Sequence, residues 1–461
     1  EEIWRSIKNN DDKYQTWLDR YDNSSCGPLF KDWLASLDYR PVISIVLPTF
    51  NSDMAFLSNA IKSVEDQSYK NWQLCIADDG SNDEKVIKYL KQLKSNSRIK
   101  IIFREQNGHI SEASNSAIRL AEGEFLAFLD HDDQLHPNAL AIVVGELNKD
   151  RDLDLIYTDE DKIDALGNRS EPNFKPNWNP DLLLSQNYIC HLAVYRKSKV
   201  IELGGLREGF EGAQDYDLLL RFTEKTQRIA HIPLVLYHWR ASEGSTALSS
   251  DEKVYAHEKA EKAIEESLKR QDINAEVLPS GIGLYHRIKY KISSPEPLVS
   301  IIIPTRDHAE LLKTCIDGIM HKTEYKNWEI LIIDNDSQKE ESHELFNELK
   351  SKKIRILKYP GKFNYSAINN FGARHANGSL LLLLNNDIEI IEPNWLTELV
   401  AQASRPQIGA VGARLYYSDD CVQHDGIIVG IGGVAGYANP RLGRYETGVF
   451  GGSRLIRNFS A

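Results

Sequence analysis

The chain of 461 residues has only five cysteines, Cys26, Cys75, Cys190, Cys315 and Cys421. They are odd in number, far apart, and form no CxxC pair. That argues against a disulfide framework or a cysteine zinc site and fits reduced thiols in a cytoplasmic protein. No apolar run approaches the ~18–20 residues a membrane-crossing helix needs. No basic stretch followed by an apolar one opens the chain, so no secretory leader is expected. Basic residues are outnumbered 55 to 67, for a formal net charge of −12. That balance argues against a general nucleic-acid partner, which needs clustered Lys and Arg, though not against a local basic patch for a diphosphate. There is no GxxxxGK[ST] loop, no GxGxxG after the first strand and no GxSxG elbow. A P-loop nucleotidase, a dinucleotide oxidoreductase and a nucleophile-elbow hydrolase are therefore disfavoured. The sequence starts at Glu1 without Met and stops after Asn458-Phe459-Ser460-Ala461, so a longer parent protein is expected.

What is present is a repeat. Ile43-Ser44-Ile45-Val46-Leu47-Pro48-Thr49 returns as Val299-Ser300-Ile301-Ile302-Ile303-Pro304-Thr305, 256 residues on. Tyr69-Lys70-Asn71-Trp72 returns as Tyr325-Lys326-Asn327-Trp328 at the same offset, and Asn115 and Gly123 match Asn370 and Gly378 at 255. Two copies of one domain explain a register held over such a span. Each copy alternates apolar, β-branched runs with helical stretches, which predicts an α/β fold with a mostly parallel, Rossmann-like sheet. The expected divisions are an N-terminal helical segment over 1–40, a first domain over 41–297 with a closing helix and linker, and a second over 298–461. Trp4, Tyr14, Trp17, Tyr21, Phe30 and Trp33 lie among charges in the first segment, as in short amphipathic helices capping the first domain.

Ligands of such sheets sit at the carboxyl ends of strands. The polar clusters fall there. Phe125-Leu126-Ala127-Phe128-Leu129 reads as a buried strand, and Asp130-His131-Asp132-Asp133 follows at once. Three carboxylates at a strand end repel one another unless a cation joins them, and Mg²⁺ and Mn²⁺ take oxygen ligands. The plainer alternative is an acidic loop before the helix near Pro137. Asp78-Asp79-Gly80-Ser81 ends another apolar run; it is either a tight turn or a carboxylate site for a base or ribose. Asp215 lies in the first turn of an expected helix, where the dipole favours a carboxylate. It is either a helix-start acid or a general base for an acceptor hydroxyl. His238 ends a further strand; it is either structural or a metal or phosphate contact.

With these residues in view, the sequence resembles family 2 glycosyltransferases of the GT-A fold. More narrowly, it looks like the tandem enzymes of bacterial O-antigen and other surface-polysaccharide synthesis. The resemblance rests on SIVLPTFN, WQLCIADDGS, FLDHDD, FKPNWNPDLLLSQNYICHL, GAQDYDLLLR and YHWR in the first copy. In the second it rests on VSIIIPTRD, EILIIDNDS, FNYSAINN, LLLNND and IGAVGARL. It implies two tandem GT-A domains and inverting transfer from a UDP-, dTDP- or GDP-sugar to a glycan or lipid-linked oligosaccharide acceptor. Pro48, Thr49, Asn51, Asp78 and Asp79 would line the nucleoside pocket. Asp130 and Asp132 would be the DxD pair holding Mn²⁺ or Mg²⁺, with His238 as a further contact. Asp215 would be the base, although Gln214 departs from the family's acidic residue before it. Trp178, Asn179 and Asp181 would help shape the site. No QxxRW motif is present, so a polymer-threading synthase is not implied.

In the second copy Pro304, Thr305, Asp334, Asn385 and Asp387 would form the donor site. Asn385 replaces Asp130 and Ile388 replaces Asp133. The counterpart of Asp215 would fall past Ala461, so that copy is expected to be inactive by itself. The resemblance places the protein in the cytoplasm, at the inner face of the membrane or in an assembly complex. Two other readings compete: a nucleotidyltransferase, which would release pyrophosphate, and a non-catalytic nucleotide-sugar-binding scaffold.

Overall fold

A computed structural model describes residues 11–22, 27–240, 250–283, 285–430, 433–448 and 451–459; Trp4 and Cys26 lie outside the described residues. The chain divides into two units. The first comprises Glu1–Ile273, Val277–Ile288 and Thr447–Asn458; the second comprises Asn274–Glu276, Lys289–Glu446 and Phe459–Ala461.

The first unit is built on one sheet of nine strands: β1 (Ile43–Thr49), β2 (Trp72–Asp78), β3 (Ile99–Phe103), β4 (Phe125–Phe128), β5 (Gln134–Leu135), β6 (Leu155–Ile163), β7 (Arg169–Asn173), β8 (Ala193–Arg196) and β9 (Ile229–Arg240). Their order is β3-β2-β1-β4-β8-β6-β9-β5, with β7 on β6. The first four are mutually parallel. Beyond β4 the sheet is mixed: β8 runs antiparallel to β4 and β6, and β6 runs parallel to β9. Every residue of β1 and β2 is buried, as expected for strands covered on both faces. The chain lays down β1, β2 and β3 to one side and returns to place β4 on the other. This reversal opens a crevice beyond the carboxyl ends of β1 and β4, where a doubly wound sheet binds its ligand.

Two devices hold β1 in that frame. Ser44 Oγ donates to Gln73 Oε1 (3.0 Å) and accepts from Gly123 N (2.9 Å). Gly123 approaches the strand so closely that a Cβ would lie 2.5 Å from Val42 O, which leaves glycine as the residue that fits.

The second unit has a four-stranded parallel sheet ordered Ile354–Lys358, Trp328–Asp334, Val299–Thr305, Leu380–Leu383. It repeats the same devices at the repeat spacing. Ser300 Oγ bonds Glu329 Oε1 (2.7 Å) and Gly378 N (2.8 Å), and a Cβ on Gly378 would lie 2.5 Å from Leu298 O.

The N-terminal residues do form helices, Asp11–Tyr21 and Pro28–Ala35, and they do more than cover apolar surface. Tyr14 OH donates to Asp161 Oδ2 (2.7 Å), to which Arg169 Nε also donates (2.5 Å). Asp22 pairs with Arg169 and lies 3.0 Å from His136 Nε2. Burial pushes the Asp22 carboxyl up, but the His136 hydrogen bond and the Arg169 charge outweigh that and hold it at about 2. A depressed folded-state pKa stabilises above the unfolded value of 3.8, and the benefit fades as pH falls toward about 2. Asp22→Asn should therefore cost about 2 kcal/mol at neutral pH and nearly nothing near pH 2. Denaturant unfolding of both proteins across that range checks it; a pH-independent gap would assign the effect to packing.

Candidate active site

β4 ends in the Asp130–Asp133 loop, and β9 ties that loop down. Asp133, fully buried, accepts from Tyr237 OH (2.6 Å) and Arg240 N (2.7 Å), while Arg240 Nε donates to the Asp132 carbonyl (2.7 Å). Burial, reinforced by the charges of Asp130 and Asp132, pushes the Asp133 carboxyl well up. Burial raises Asp132 as well, against the pull of His131. Like charges crowded in a partly dry loop are the setting a cation relieves. Among the described residues, Asp130, Asp133 and His191 offer ligand atoms all within 4.8 Å of one another. Two carboxylates and an imidazole suit Mn²⁺ better than Mg²⁺, which prefers an all-oxygen shell.

His191 is brought there by a buried network. Lys175 Nζ donates to Glu160 Oε2 (3.1 Å), Ile189 O (2.6 Å) and His191 O. His191 N donates to Glu160 Oε2 (3.1 Å), and the imidazole stacks on Tyr237 with centroids 4.6 Å apart. The same loop presents Asn187, whose Nδ2 donates to Asp215 Oδ2 (2.9 Å). Asp215 sits in the first turn of the helix Gln214–Thr223. Its carboxyl is raised by burial, opposed by His191 and reinforced by Asp130. Pro48, Asp130, Glu160, His191 and Asp215 line one cavity of about 590 Å³, within the range typical of small-molecule sites.

The residues expected to line a nucleoside pocket lie at the ends of β1 and β2. Thr49 Oγ1 is 2.6 Å from Ser52 Oγ. Asn51 clamps the neighbouring loop: its N–H donates to Ser81 Oγ (2.8 Å) and its Oδ1 accepts from Asn82 N (2.9 Å). Asp78 accepts from Ser81 N (3.2 Å) through Oδ2, while its buried Oδ1 has no partner among the described residues. Burial raises this carboxyl. A buried acceptor without a donor is costly unless a ligand supplies one. Asp79 is already engaged, with Arg104 (2.7 Å) and Gly108 N (3.1 Å), and so holds the loop.

Two expected residues stand elsewhere. His238 Nδ1 lies 2.6 Å from Asp161 Oδ1, inside the network that anchors Tyr14 and Arg169, and the histidine near Asp130 is His191 instead. Trp178 is half-buried before the helix Pro180–Ser185 and is not on the cavity wall; Asn179 caps that helix, accepting from Leu182 N (3.1 Å).

In the second unit Asp334 accepts from Ser337 N (2.9 Å), and Asp307 N donates to Ser337 Oγ (2.9 Å), as Asn51 does to Ser81. Pro304 is half-buried, Thr305 buried, and Asn385 and Asp387 are exposed.

The glycosyl transferase family 2 profile matches residues 44–204 and 300–444, which together are well over half of the chain. The chain belongs to glycosyl transferase family 2. It is 45% identical over 427 residues to the uncharacterised protein y4gI of Sinorhizobium fredii, covering 91% of this chain and 47% of that one. It is 39% identical over 429 residues to the O-antigen biosynthesis protein RfbC of Myxococcus xanthus, covering 92% of this chain and 33% of that one. The chain thus spans about half or less of these relatives' length. A solved structure of S. aureus TarS with UDP-GlcNAc matches 50% of this chain and 72% of its own, with 18% identity and a TM-score of 0.40. The two profile matches coincide with the two copies, and each begins at the serine, Ser44 or Ser300, that pins its first strand.

The cavity and its supporting network have members that were not singled out in the sequence: His191, Asp133, Glu160, Lys175 and Asn187. Lys175, Asn187 and His191 lie within FKPNWNPDLLLSQNYICHL, and Asp133 is the third acid of the run after β4.

Proposed function

We propose that the first unit transfers a sugar from a nucleoside-diphosphate sugar to a hydroxyl of a glycan or lipid-linked acceptor, with inversion, in synthesis of an O-antigen-like surface polysaccharide. The observation that carries this reading is the meeting of Asp130, His191 and Asp215 on one cavity of a family 2 chain. RfbC, by its name, acts in O-antigen biosynthesis.

Asp78, through its open Oδ1, receives a donor N–H or hydroxyl of the nucleoside, and Thr49 and Asn51 shape that end. Asp130, Asp133 and His191 would hold a divalent cation, Mn²⁺ in preference to Mg²⁺, with Asp132 beside them. A bound cation supplies neutralising charge for the departing diphosphate. Asp215 takes the proton of the acceptor hydroxyl as its oxygen attacks the anomeric carbon. The raised Asp215 carboxyl makes it a stronger base than an exposed aspartate, and Asn187 fixes its orientation. In the loop that matches Asp130–Asp133 the second unit offers Asp387 beside Asn385, and it is proposed to carry the donor-site frame without transfer of its own. No helix among the described residues is long and apolar enough to cross a membrane. The proposed location is the cytoplasm, at the inner membrane face through partners.

Calorimetric titration of UDP, GDP, dTDP and CDP with Mn²⁺ tests the donor site. One nucleotide should bind, and Asp130→Ala should weaken it on the order of 100-fold. Metal-independent binding would remove the cation from the site, and no binding would remove the donor site from the first unit.

A further inference from the structure

The cavity has a second wall that the donor chemistry does not use. It is made by Ala256, His257 and Ala260 of the helix Ser250–Arg270 and by Tyr285 and His286 at the start of the strand His286–Tyr290. His257 and His286 stack face to face, with centroids 4.3 Å apart and planes within 4°. His286 lines the cavity yet is only 2% exposed, and its Nε2 is buried with no hydrogen-bond partner among the described residues. Tyr285 is held from behind: a Cβ on Gly451, which has a φ of +74°, would lie 2.6 Å from its ring.

An unpartnered buried nitrogen on a cavity-lining side chain calls for a ligand atom, and the surroundings restrict which. Burial, and the His257 ring against it, lower the His286 imidazole to about 4, so it is neutral at physiological pH. A neutral imidazole nitrogen is a donor or an acceptor according to tautomer. A hydroxyl satisfies either state, whereas a carboxylate or phosphate satisfies only the protonated nitrogen and an ammonium only the bare one. Asp130, Glu160 and Asp215 line the same cavity and make it a poor place for a further anion.

We propose that His286 Nε2, with the Tyr285 ring beside it, forms a subsite holding one hydroxyl of an uncharged sugar ring of the acceptor, an inference that rests on the transferase reading above. The aromatic ring offers the apolar surface and the imidazole the directional bond that such a ring needs. This wall therefore takes part in selecting the acceptor.

Histidine-labelled protein, titrated with methyl glycosides of glucose, galactose, mannose and rhamnose, tests it through the His286 ring-proton resonance, assigned by its loss in His286→Gln. At least one neutral glycoside should shift that resonance saturably, and inorganic phosphate and methyl glucuronide should not. If His286→Gln does not fold, Tyr285→Leu serves: it should weaken the glycoside titration roughly five-fold. A resonance that no glycoside moves, or that phosphate or glucuronide moves more strongly, overturns the subsite. Calorimetry of UDP and GDP with Mn²⁺ on the same protein separates the two readings. Nucleotide binding without a glycoside shift sinks the subsite alone. A glycoside shift without nucleotide binding sustains the subsite and sinks the donor site.

Discussion

Asp215→Asn should lower kcat for sugar transfer by about 10²–10⁴-fold, or roughly 3–5 kcal/mol of barrier. The exchange keeps the side chain's size and its contact with Asn187 while removing the base. Nucleotide binding should change little, since the proposed donor contacts are those of Asp78, Asp130 and His191. A loss confined to kcat is the signature of an interaction made during the reaction rather than in the ground state. Initial rates against acceptor, with calorimetry of the nucleotide, separate the two quantities. Transfer within ten-fold of wild type would move the base elsewhere, with Glu160 the next carboxylate on the wall.

Lys175→Met should destabilise the protein by about 3–5 kcal/mol, because breaking a buried pair strands its partner. The Lys175 side chain is wholly buried and that of Glu160 is 9% exposed. The same ammonium holds the Ile189 and His191 carbonyls, so the loop carrying His191 and Asn187 should loosen as well. Urea unfolding measures the first effect, and Mn²⁺-dependent nucleotide affinity reports the second. Adding Glu160→Gln to Lys175→Met should recover part of the stability, since no buried charge then remains alone. A single-variant cost under about 1 kcal/mol would mean that water reaches the pair.

The parallel half of each sheet was legible because its signals are local. The apolar run before Pro48-Thr49 gives β1, and the short β-branched run Ile99–Phe103 gives β3. The run ending at Leu129 gives β4, one residue long of the observed strand. Asp215 at a helix start was legible for the same reason. The mixed half was not. β8 inserts between β4 and β6, and no periodicity states which strand a segment will pair with. β9 extends over Ile229–Arg240, through His238 rather than ending there, because its polar end pairs with Asp159 to Ile163. His191 and His238 show the same limit. Each follows an apolar stretch, and their roles are decided by distant partners, Lys175 with Glu160 for one and Asp161 for the other. Family resemblance supplied the candidate donor-site residues, while the partners that orient them became visible only in three dimensions.

The twin pins on the first strands bear on how a duplicated chain should be compared with itself. Ser44 and Ser300, Gly123 and Gly378, Tyr69 and Tyr325 stand alike in both copies, and each of the tyrosines donates to the carbonyl 28 residues before it, that of Pro41 (2.7 Å) or Pro297 (2.5 Å). None of these residues lines the cavity. Identity between the halves at these positions therefore marks joinery, with Gly123 and Gly378 kept because backbone leaves no room for a side chain. The informative positions are those where the halves disagree: Asp130 against Asn385, Asp133 against Ile388, Asp79 against Asn335. Anyone ranking residues of such a chain by self-similarity would collect its carpentry together with Pro48, Thr49 and Asp78, and would miss Asp130 and Asp133.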